Sequence, residues 1–342
     1  MAALSLDPKP AFQITKQQQQ HREWVVEEIE GLIKVYKDGV VERLPIIPDA
    51  PCTQALGPGI TARDITIARF NNLWARIYVP YRASKLPLLA YFHGGGFCVG
   101  SAAWLCYHNF LANLASEVGC IIISANYRLA PENRLPSAYE DCFNTVMWLQ
   151  QQALSMPNEQ SWWLSRCDFS RFFLAGDSAG ANIAYNVAIQ LGSNPTTILK
   201  PLYHTGIILI QPFFGGEMRT ASEKAPQPPH SALTLAVADA YWRLSLPPGA
   251  GREHPWCNPL RIGASKLGSI MFPAMMVCIS ETDILKDRNV EFVAAMAKAG
   301  KVVEMVVYRG VGHAFHVLDA SPMSQSRTQE MISHLKAFIV NK

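Results

Sequence analysis

The chain has 342 residues, of which 49% are hydrophobic and 17% are charged, and its formal net charge at pH 7 is +3. So large an apolar fraction can build a substantial core, which excludes an intrinsically disordered chain. The net charge is small and the basic residues are scattered, which excludes a nucleic-acid-binding protein of the usual basic kind. The length permits one large domain, and we expect residues 1–342 to form a single one.

The eight cysteines form no CxxC pair and show no regular spacing. Several lie within apolar stretches such as EVGCIIIS and AMMVCIS, where a cysteine behaves as a small hydrophobic residue. Structural metal sites space their ligands regularly. We therefore expect no bound metal, and reduced thiols in a reducing compartment.

The first 20 residues include four consecutive glutamines, and they predict a disordered or loosely attached tail. This segment lacks an apolar core of signal-peptide length, and no stretch approaches the roughly 20 apolar residues of a membrane span. We therefore expect a soluble, intracellular protein with no membrane partner. The cytoplasm is the expected compartment, and the nucleus is a second candidate.

Short patterns predict the elements before residue 81. The stretch WVVEEIEGLIKVY carries apolar residues at helix-like spacing, which predicts a helix. The stretch IKVYKDGVVERLP places Asp38 and Gly39 between two alternating segments, which is a hairpin pattern. The stretch ITIARFNNLWARIYVP predicts a second hairpin that turns at Asn71 and Asn72.

From Leu86 onward, short apolar strands alternate with longer, helix-like segments. The strand segments are LLAYFHG, CIIISANYR, RFFLAGD, TGIILIQPF, AMMVCIS and VVEMVVYRG. Strands this uniformly apolar are buried on both faces, and the intervening segments are long enough for crossover helices. The pattern predicts an α/β fold with a mostly parallel sheet flanked by helices, in which ligands bind beyond the carboxyl ends of the strands.

Residues 214–258 interrupt this alternation. A polar stretch rich in turn-forming residues leads into LTLAVADAYWRLSLPPGAG, which predicts a short aromatic helix. Because the segment lies between two core strands, we expect an insertion packed over one end of the sheet. Four aromatic residues in or beside it are candidate substrate-binding residues, namely Phe213, Phe214, Tyr241 and Trp242. The alternative is that these side chains only anchor the insertion to the core.

The stretch RFFLAGDSAGANIAYNVA places Gly176-Asp177-Ser178-Ala179-Gly180 between an apolar strand and an Ala-rich helix. This is the G-x-S-x-G pattern in the context of a nucleophile elbow, where small neighbours let the chain turn sharply and expose the serine hydroxyl. A structural N-cap is the alternative role of Ser178. The position favours Ser178 as a nucleophile, and Asp177 beside it is a candidate substrate-binding residue.

A serine hydroxyl needs a base to accept its proton. In this type of fold the acid and the histidine follow the serine along the chain, in that order. Downstream, AMMVCIS is followed by ETDILKD, which contains Glu281, Asp283 and Asp287, and the next strand is followed by His313 and His316. We expect Asp283 to orient His313, with Asp287 and then Glu281 as alternatives. We expect His316 to line the pocket.

The stretch HGGG, from His93 to Gly96, follows an earlier strand. The tetrahedral oxyanion formed when a serine attacks an ester needs N–H donors, and glycine amides can approach the substrate oxygen closely. The stretch therefore predicts an oxyanion hole that combines this loop with the backbone N–H of Ala179. His93 itself is expected to be structural.

Five motifs, HGGGF, NYRLAPENRLPSAYED, GDSAGAN, ETDILKD and GVGHAF, resemble the hormone-sensitive-lipase-like branch of the α/β-hydrolases. The stretch LIKVYKDGVVER resembles the plant carboxylesterases of that branch. The resemblance implies the α/β-hydrolase fold, with about eight strands and a lid built from residues 1–45 and 214–258. It also implies a catalytic triad of Ser178, Asp283 and His313. The oxyanion donors that it implies are Gly94, Gly95, Gly96 and Ala179.

The resemblance implies a serine carboxylesterase that needs no cofactor. The expected partner is a small-molecule ester, a small to medium apolar plant metabolite, with an acetyl ester among the candidates. Gibberellin receptors of this family lack the catalytic histidine and its hydroxyisoflavanone dehydratases carry threonine at the nucleophile position, whereas this chain has His313 and Ser178. Other plant relatives keep the triad yet transfer acyl groups or cyclise their substrates, and the motifs leave that alternative open.

Overall fold

The computed structural model describes residues 24–54, 56, 59–81, 85–193, 199–228 and 231–342. The tail predicted at the N-terminus lies outside the described residues. The chain divides into two compact units, Met1–Leu44 and Pro45–Lys342.

The first unit contains a three-stranded antiparallel sheet in the order β1-β2-β3. Its strands are β1 (Val25–Ile29), β2 (Ile33–Tyr36) and β3 (Val41–Arg43). The hairpin predicted at Asp38 and Gly39 joins β2 to β3, and Gly39 has a left-handed φ of 84°. The helix predicted for WVVEEIEGLIKVY is wrong, because this stretch forms β1, a turn and β2. Its β-branched valines and isoleucines favour strands, and Gly31 at φ 74° supplies the turn.

The second unit is built on an eight-stranded sheet in the order β11-β10-β9-β8-β6-β7-β5-β4. Among the described strands of this sheet, β5 runs in the direction opposite to the other seven, so the predicted mostly parallel sheet is confirmed. Strands β4 and β5 form the second predicted hairpin, with Asn72 in its turn at φ 55°. The strands are β4 (Ile60–Ala68), β5 (Leu73–Pro80), β6 (Leu86–Phe92), β7 (Ile121–Asn126), β8 (Cys167–Asp177), β9 (His204–Ile210), β10 (Ala274–Ser280) and β11 (Val303–Tyr308).

Helices connect these strands and flank the sheet. They are α1 (Leu105–Val118), α2 (Ser137–Ser155), α3 (Ser161–Leu164), α4 (Ala179–Ser193), α5 (Ala221–Lys224), α6 (Leu235–Ser245), α7 (Ala264–Ser269), α8 (Lys286–Lys298), α9 (Phe315–Leu318) and α10 (Pro322–Val340). Two short 3₁₀ helices span Asn158–Gln160 and Pro259–Ile262. No helix within the described ranges is long and apolar enough to cross a bilayer.

The central strands are buried along nearly their whole length. All seven residues of β6 are buried, as are the last six residues of both β8 and β10. Burial on both faces is what a parallel sheet covered by helices requires, and it explains the continuous apolar runs in the sequence. Parallel strands end at one edge of the sheet, so the residues that follow β6, β8, β9, β10 and β11 lie at that edge.

The segment between β9 and β10 contains the predicted insertion, with helices α5 and α6. Among its contacts with α8, the backbone N–H of Ser222 donates to Asp287 Oδ2 at 2.7 Å, and Glu223 forms an ion pair with Arg288 at 3.1 Å. Within the insertion, Asp239 binds two arginines, Arg219 and Arg252. These contacts tie the insertion to the helix that follows the loop of Asp283.

Candidate active site

Ser178 lies between the end of β8 at Asp177 and the start of α4 at Ala179. Its φ of 52° is left-handed, a conformation that non-glycine residues rarely adopt and that is typical of strained functional turns. The turn is possible because glycines lie two residues away on each side, at 176 and 180. A Cβ on Gly180 would lie 1.9 Å from the carbonyl oxygen of Phe92, so only glycine lets α4 approach β6 this closely.

Ser178, His313 and Asp283 form a continuous chain of hydrogen bonds. His313 Nδ1 donates to Asp283 Oδ2 at 2.7 Å, and His313 Nε2 lies 2.8 Å from Ser178 Oγ, whose hydroxyl donates to it. All three residues are buried, with 6%, 8% and 3% of their surfaces exposed, respectively. In this arrangement the imidazole can accept the serine proton, while the carboxylate stabilises the charge that the ring acquires.

The other two predicted acids bind backbone amides elsewhere. Asp287 accepts the N–H of Ser222 at 2.7 Å, and Glu281 accepts the N–H of Gly310 at 2.9 Å. Of the three acids, Asp283 is therefore the one that contacts His313. Its second oxygen accepts the N–H of Leu285 at 3.0 Å, which fixes the carboxylate on its own loop.

The HGGG loop follows β6 and presents backbone amides at the same edge of the sheet. Gly95 and Gly96 both have left-handed φ angles, 109° and 58°. Within the part of the chain that the structure describes, the N–H groups of Gly95, Gly96 and Ala179 donate no hydrogen bond. These three amides are therefore available to an oxygen atom of a substrate.

Gly94 does not belong with these donors. Its single N–H already donates to Tyr107 Oη at 2.8 Å and to Asp177 Oδ1 at 3.1 Å. We therefore correct the predicted set of oxyanion donors by removing Gly94. Its amide instead fixes the base of the glycine loop.

His93 also holds this loop. Its Nδ1 donates to the carbonyl of Gly94 at 2.8 Å, and its ring stacks on Tyr127 with 4.3 Å between the ring centroids. The phenol of Tyr127 donates to the carbonyl of His93 at 2.8 Å. Burial lowers the pKa of His93 to about 4, so the imidazole is neutral at physiological pH. These contacts agree with the structural role expected for His93.

Asp177 supports the glycine loop. The prediction that Asp177 binds substrate is therefore corrected. Its carboxylate accepts the phenol protons of Tyr91 and Tyr107, both at 2.8 Å, in addition to the amide of Gly94. Only 1% of the residue is exposed. Burial raises the pKa of Asp177 to about 6, although the two phenols and the nearby His313 favour its charged form.

Phe213 and Phe214 point into different aromatic clusters. The ring of Phe214 packs against Tyr185 and Phe292, at centroid distances of 5.7 and 4.8 Å, which places it in the core. The ring of Phe213 stacks on Trp242 at 4.6 Å with an angle of 4° between the planes. The ring of Phe214 is enclosed by core side chains. The prediction that Phe214 binds substrate is therefore corrected.

Tyr241 and Trp242 are neighbours on α6, but their rings contact different parts of the protein. Trp242 is 2% exposed and lies between Phe213 and Phe97, which anchors the insertion. The ring of Tyr241 lies directly on the glycine loop, since a Cβ on Gly96 would be 2.2 Å from its Cγ. Tyr241 is therefore the member of the pair that contacts the candidate oxyanion donors.

His316 is buried beside the site. Its ring packs edge-to-face on Phe110 at 4.9 Å, and neither ring nitrogen has a hydrogen-bond partner among the described residues. Burial and the neighbouring His313 lower the pKa of His316 to about 3. The imidazole is therefore a neutral packing group.

Two polar residues of the site were not predicted from the sequence. Asn182 lies on α4, and its Nδ2 donates to the carbonyls of Phe213 and Trp256 at 2.9 and 2.8 Å. Gln211 follows β9, and its side chain binds the loop that carries His313. The available signal was a lone amide side chain in an apolar setting, in GDSAGANIAY and in GIILIQPF respectively.

The structure also bears on metals and cysteines. Over the described ranges, no three His, Cys, Asp or Glu side chains are grouped so that they could hold a metal ion. All eight cysteines are free thiols, and six of them are buried.

Comparison with known proteins gives consistent matches. A family model described as alpha/beta hydrolase fold matches residues 89–317. The chain is 48% identical over 321 residues to "Probable carboxylesterase 6" of Arabidopsis thaliana, covering 92% of this chain and 91% of that protein. It is 33% identical to a gibberellin receptor of the same plant, covering 76% of each chain. Among solved structures, a fungal esterase from Rhizomucor miehei matches with a TM-score of 0.71 at 26% identity, covering 85% of this chain and 84% of that chain.

The raised pKa of Asp177 predicts a specific pH dependence of stability. Between its ordinary value of 3.8 and its folded value of about 6, the folded protein holds a proton on Asp177 that the unfolded chain has lost. The contribution of this residue to the free energy of unfolding should therefore fall as the pH rises across that interval, by up to about 3 kcal/mol. Asp177→Asn should remove this contribution, so urea unfolding of both proteins from pH 4 to 7 measures it as a difference.

Tyr91→Phe provides a second variant for the same measurement. It removes a hydrogen bond that favours the charged carboxylate, so the interval over which stability falls should extend to higher pH. Parallel stability curves for the wild type and Asp177→Asn across this range would contradict the assignment.

Proposed function

Because the chain belongs to the α/β-hydrolase family and to its carboxylesterases, we propose that it hydrolyses a carboxylic ester through a covalent acyl-enzyme on Ser178. One observation carries the proposal. His313 is hydrogen-bonded on one side to Ser178 and on the other to Asp283, at 2.8 and 2.7 Å. A serine, a base and an orienting acid in this geometry are what acyl transfer by a serine nucleophile requires.

In the first half of the reaction, Ser178 Oγ attacks the ester carbonyl carbon while His313 Nε2 takes the hydroxyl proton. The carbonyl oxygen becomes an oxyanion, and Asp283 stabilises the imidazolium. The tetrahedral intermediate collapses with cleavage of the bond to the alcohol oxygen. The proton on His313 passes to this oxygen, so the alcohol leaves neutral and the acyl group stays on Ser178.

In the second half, a water molecule takes the place of the alcohol. His313 accepts one proton from the water as its oxygen attacks the acyl carbon. Collapse of the second tetrahedral intermediate breaks the bond to Ser178 Oγ, and the proton returns from His313 to the serine. The products are a carboxylic acid and an alcohol, and the side chains are restored without a cofactor.

The N–H groups of Gly95, Gly96 and Ala179 are the proposed oxyanion hole. Donors that are already aimed at the oxygen need no rearrangement when its charge develops, and losing one such donor typically lowers kcat by about 10²–10³-fold. Ala179 also begins a helix of 15 residues, whose N-terminal dipole favours negative charge at this position. Asp177 and Tyr107 support the donors indirectly, by holding Gly94.

The proposed substrate is a small to medium apolar ester, with acetyl esters included. The aromatic ring of Tyr241 lies on the glycine loop, which favours an apolar group beside the scissile carbonyl. The insertion of residues 214–258 is proposed to act as a lid. A cytoplasmic location is supported by the eight free thiols, which persist in reducing compartments.

A ligand-binding receptor is the alternative from another functional class, since a gibberellin receptor is among the relatives. The paired hydrogen bonds of His313 favour catalysis, because a receptor has no need of a base held between a serine and an acid. An assay with a chromogenic acetate ester separates the two, since a receptor should leave the ester intact.

The catalytic assignments predict the effects of three substitutions. Ser178→Ala should fold normally and lose about 10⁶-fold in kcat, because no other group can form the acyl-enzyme. Asp283→Asn should lose about 10⁴-fold, because the ring of His313 loses its charge-stabilising partner. Asp287→Asn is the matched control and should lose far less, since its carboxylate holds Ser222.

Initial rates with p-nitrophenyl acetate and thermal melts of each variant measure these effects. Ser178 would not be the nucleophile if Ser178→Ala kept a tenth of the wild-type rate. A larger loss for Asp287→Asn than for Asp283→Asn would overturn the choice of acid.

The two aromatic residues of α6 provide a test of substrate selection. Tyr241→Ala should change the ratio of kcat/KM values for a bulky aromatic ester and an acetate ester by about 10- to 200-fold, because it opens space beside the glycine loop. Trp242→Ala should lower the free energy of unfolding by about 3–5 kcal/mol and leave that ratio unchanged, because its ring packs on Phe213. Equal losses on both esters for Tyr241→Ala, with a lower Tm, would leave Tyr241 only an anchoring role.

A further inference from the structure

We propose that Gln211 is a positioning residue for the active site, one that holds the backbone on both sides of His313. This inference rests on the function proposed above, because it assigns Gln211 a role in the reaction of Ser178. Gln211 follows the last residue of β9 and is 1% exposed. Its φ of 48° is left-handed, and its backbone N–H donates to the carbonyl of Cys278 in β10 at 2.8 Å.

The side-chain amide of Gln211 binds the residue before and the residue after His313. Its Nε2 donates to the carbonyl of Gly312 at 3.1 Å, and its Oε1 accepts the N–H of Ala314 at 2.7 Å. One planar group therefore fixes both peptide units that flank the histidine. Ala314 has a left-handed φ of 57°, a conformation that persists only where neighbouring contacts impose it.

The same amide also contacts the strand that leads to the acid. The second proton of Gln211 Nε2 goes to the hydroxyl of Ser280, the last residue of β10 and three positions before Asp283. Both amide protons and one lone pair of this buried side chain are thus used. Gln211 joins the loop of the base to the strand of the acid.

The segment that begins at Gln211 reaches the nucleophile as well. Two residues later, the N–H of Phe213 donates to the carbonyl of Ser178 at 2.9 Å. Residues 211–213 therefore contact the chain at Ser178, before Asp283 and around His313. The hydrogen bonds to Ser178 and Asp283 hold the two ring nitrogens of His313. Gln211 holds the backbone of Gly312 and Ala314, on either side of that residue.

A merely structural amide would satisfy buried backbone groups and affect stability alone. A positioning amide would also affect the rate, because a displacement of about 1 Å at a reacting group can lower the rate by about 10²-fold. The two roles predict different values of kcat per folded molecule. They also predict different NMR signals for the proton in the hydrogen bond between His313 and Asp283. That proton gives a far-downfield NMR resonance, which reports the hydrogen bond without any substrate.

Gln211→Leu is the test variant, because it keeps most of the volume and removes the amide. We expect kcat for p-nitrophenyl acetate to fall by about 10- to 100-fold, while KM changes by less than about threefold. We expect the downfield resonance of His313 to broaden or disappear. If Gln211→Leu does not fold, Gln211→Glu replaces it, because it keeps an acceptor for Ala314 and loses the donor to Gly312, and kcat should fall by about tenfold or more.

Asn289→Leu is the matched control. Asn289 is also a buried amide, and its Nδ2 donates to the carbonyl of Pro212 at 2.8 Å, one residue after Gln211. This side-chain hydrogen bond goes to that carbonyl and not to the loop of His313. We expect Asn289→Leu to lower Tm, to keep kcat within about twofold of the wild type, and to keep the resonance.

The wild type and Ser178→Ala are measured in the same series, so the two proposals can fail separately. A wild type without ester turnover would contradict the proposed function, while the resonance would still report what Gln211 does to His313. A Gln211→Leu protein with the wild-type kcat and the wild-type resonance would overturn the positioning role, even if its Tm were lower.

Discussion

The two hydrogen bonds of His313 are the constraint on which the site depends. Each tolerates a change of only a few tenths of an ångström, yet they join residues that lie 30 and 135 positions apart along the chain. The parallel sheet meets this constraint because β8, β10 and β11 end at the same edge. β9 lies between β8 and β10, so the residue that follows it, Gln211, can contact the loops on both sides.

Unfavourable local structure is concentrated at this edge of the sheet. Four non-glycine residues there have left-handed backbones, namely Phe97, Ser178, Gln211 and Ala314. Each such residue destabilises the folded state by about 1–3 kcal/mol, and the buried carboxylate of Asp177 adds a desolvation penalty. The fully buried strands behind the site supply the apolar burial that offsets these terms. The α/β-hydrolase fold thus allows a strained serine turn to persist, together with a loop whose Gly95 and Gly96 amides have no acceptor among the described residues.

The sequence predicted the sheet and the meeting of Ser178, Asp283 and His313, because each of these follows directly from a local pattern. An apolar run followed by small or polar residues identifies a strand end, and parallel strands bring their ends together. The roles of Asp177 and Gly94 could not be predicted in this way, because they depend on which way the Asp177 carboxylate points, and its partners Tyr91, Tyr107 and Gly94 belong to no local motif with it. The helix predicted for WVVEEIEGLIKVY is wrong because its valines and isoleucines favour strands and Gly31 favours a turn, although the apolar spacing fits a helix. The catalytic roles themselves remain predictions.

Covalent trapping tests the proposed chemistry most directly. The wild-type protein would be incubated with a fluorophosphonate, which reacts with an activated serine, and the modified peptide would be identified by mass spectrometry. The expected result is one adduct per chain, on Ser178, formed far more slowly when His313 is replaced by alanine or when a hydrolysable ester is present in excess. Ester turnover by a protein that forms no adduct on Ser178, or forms it equally fast without His313, would contradict the account.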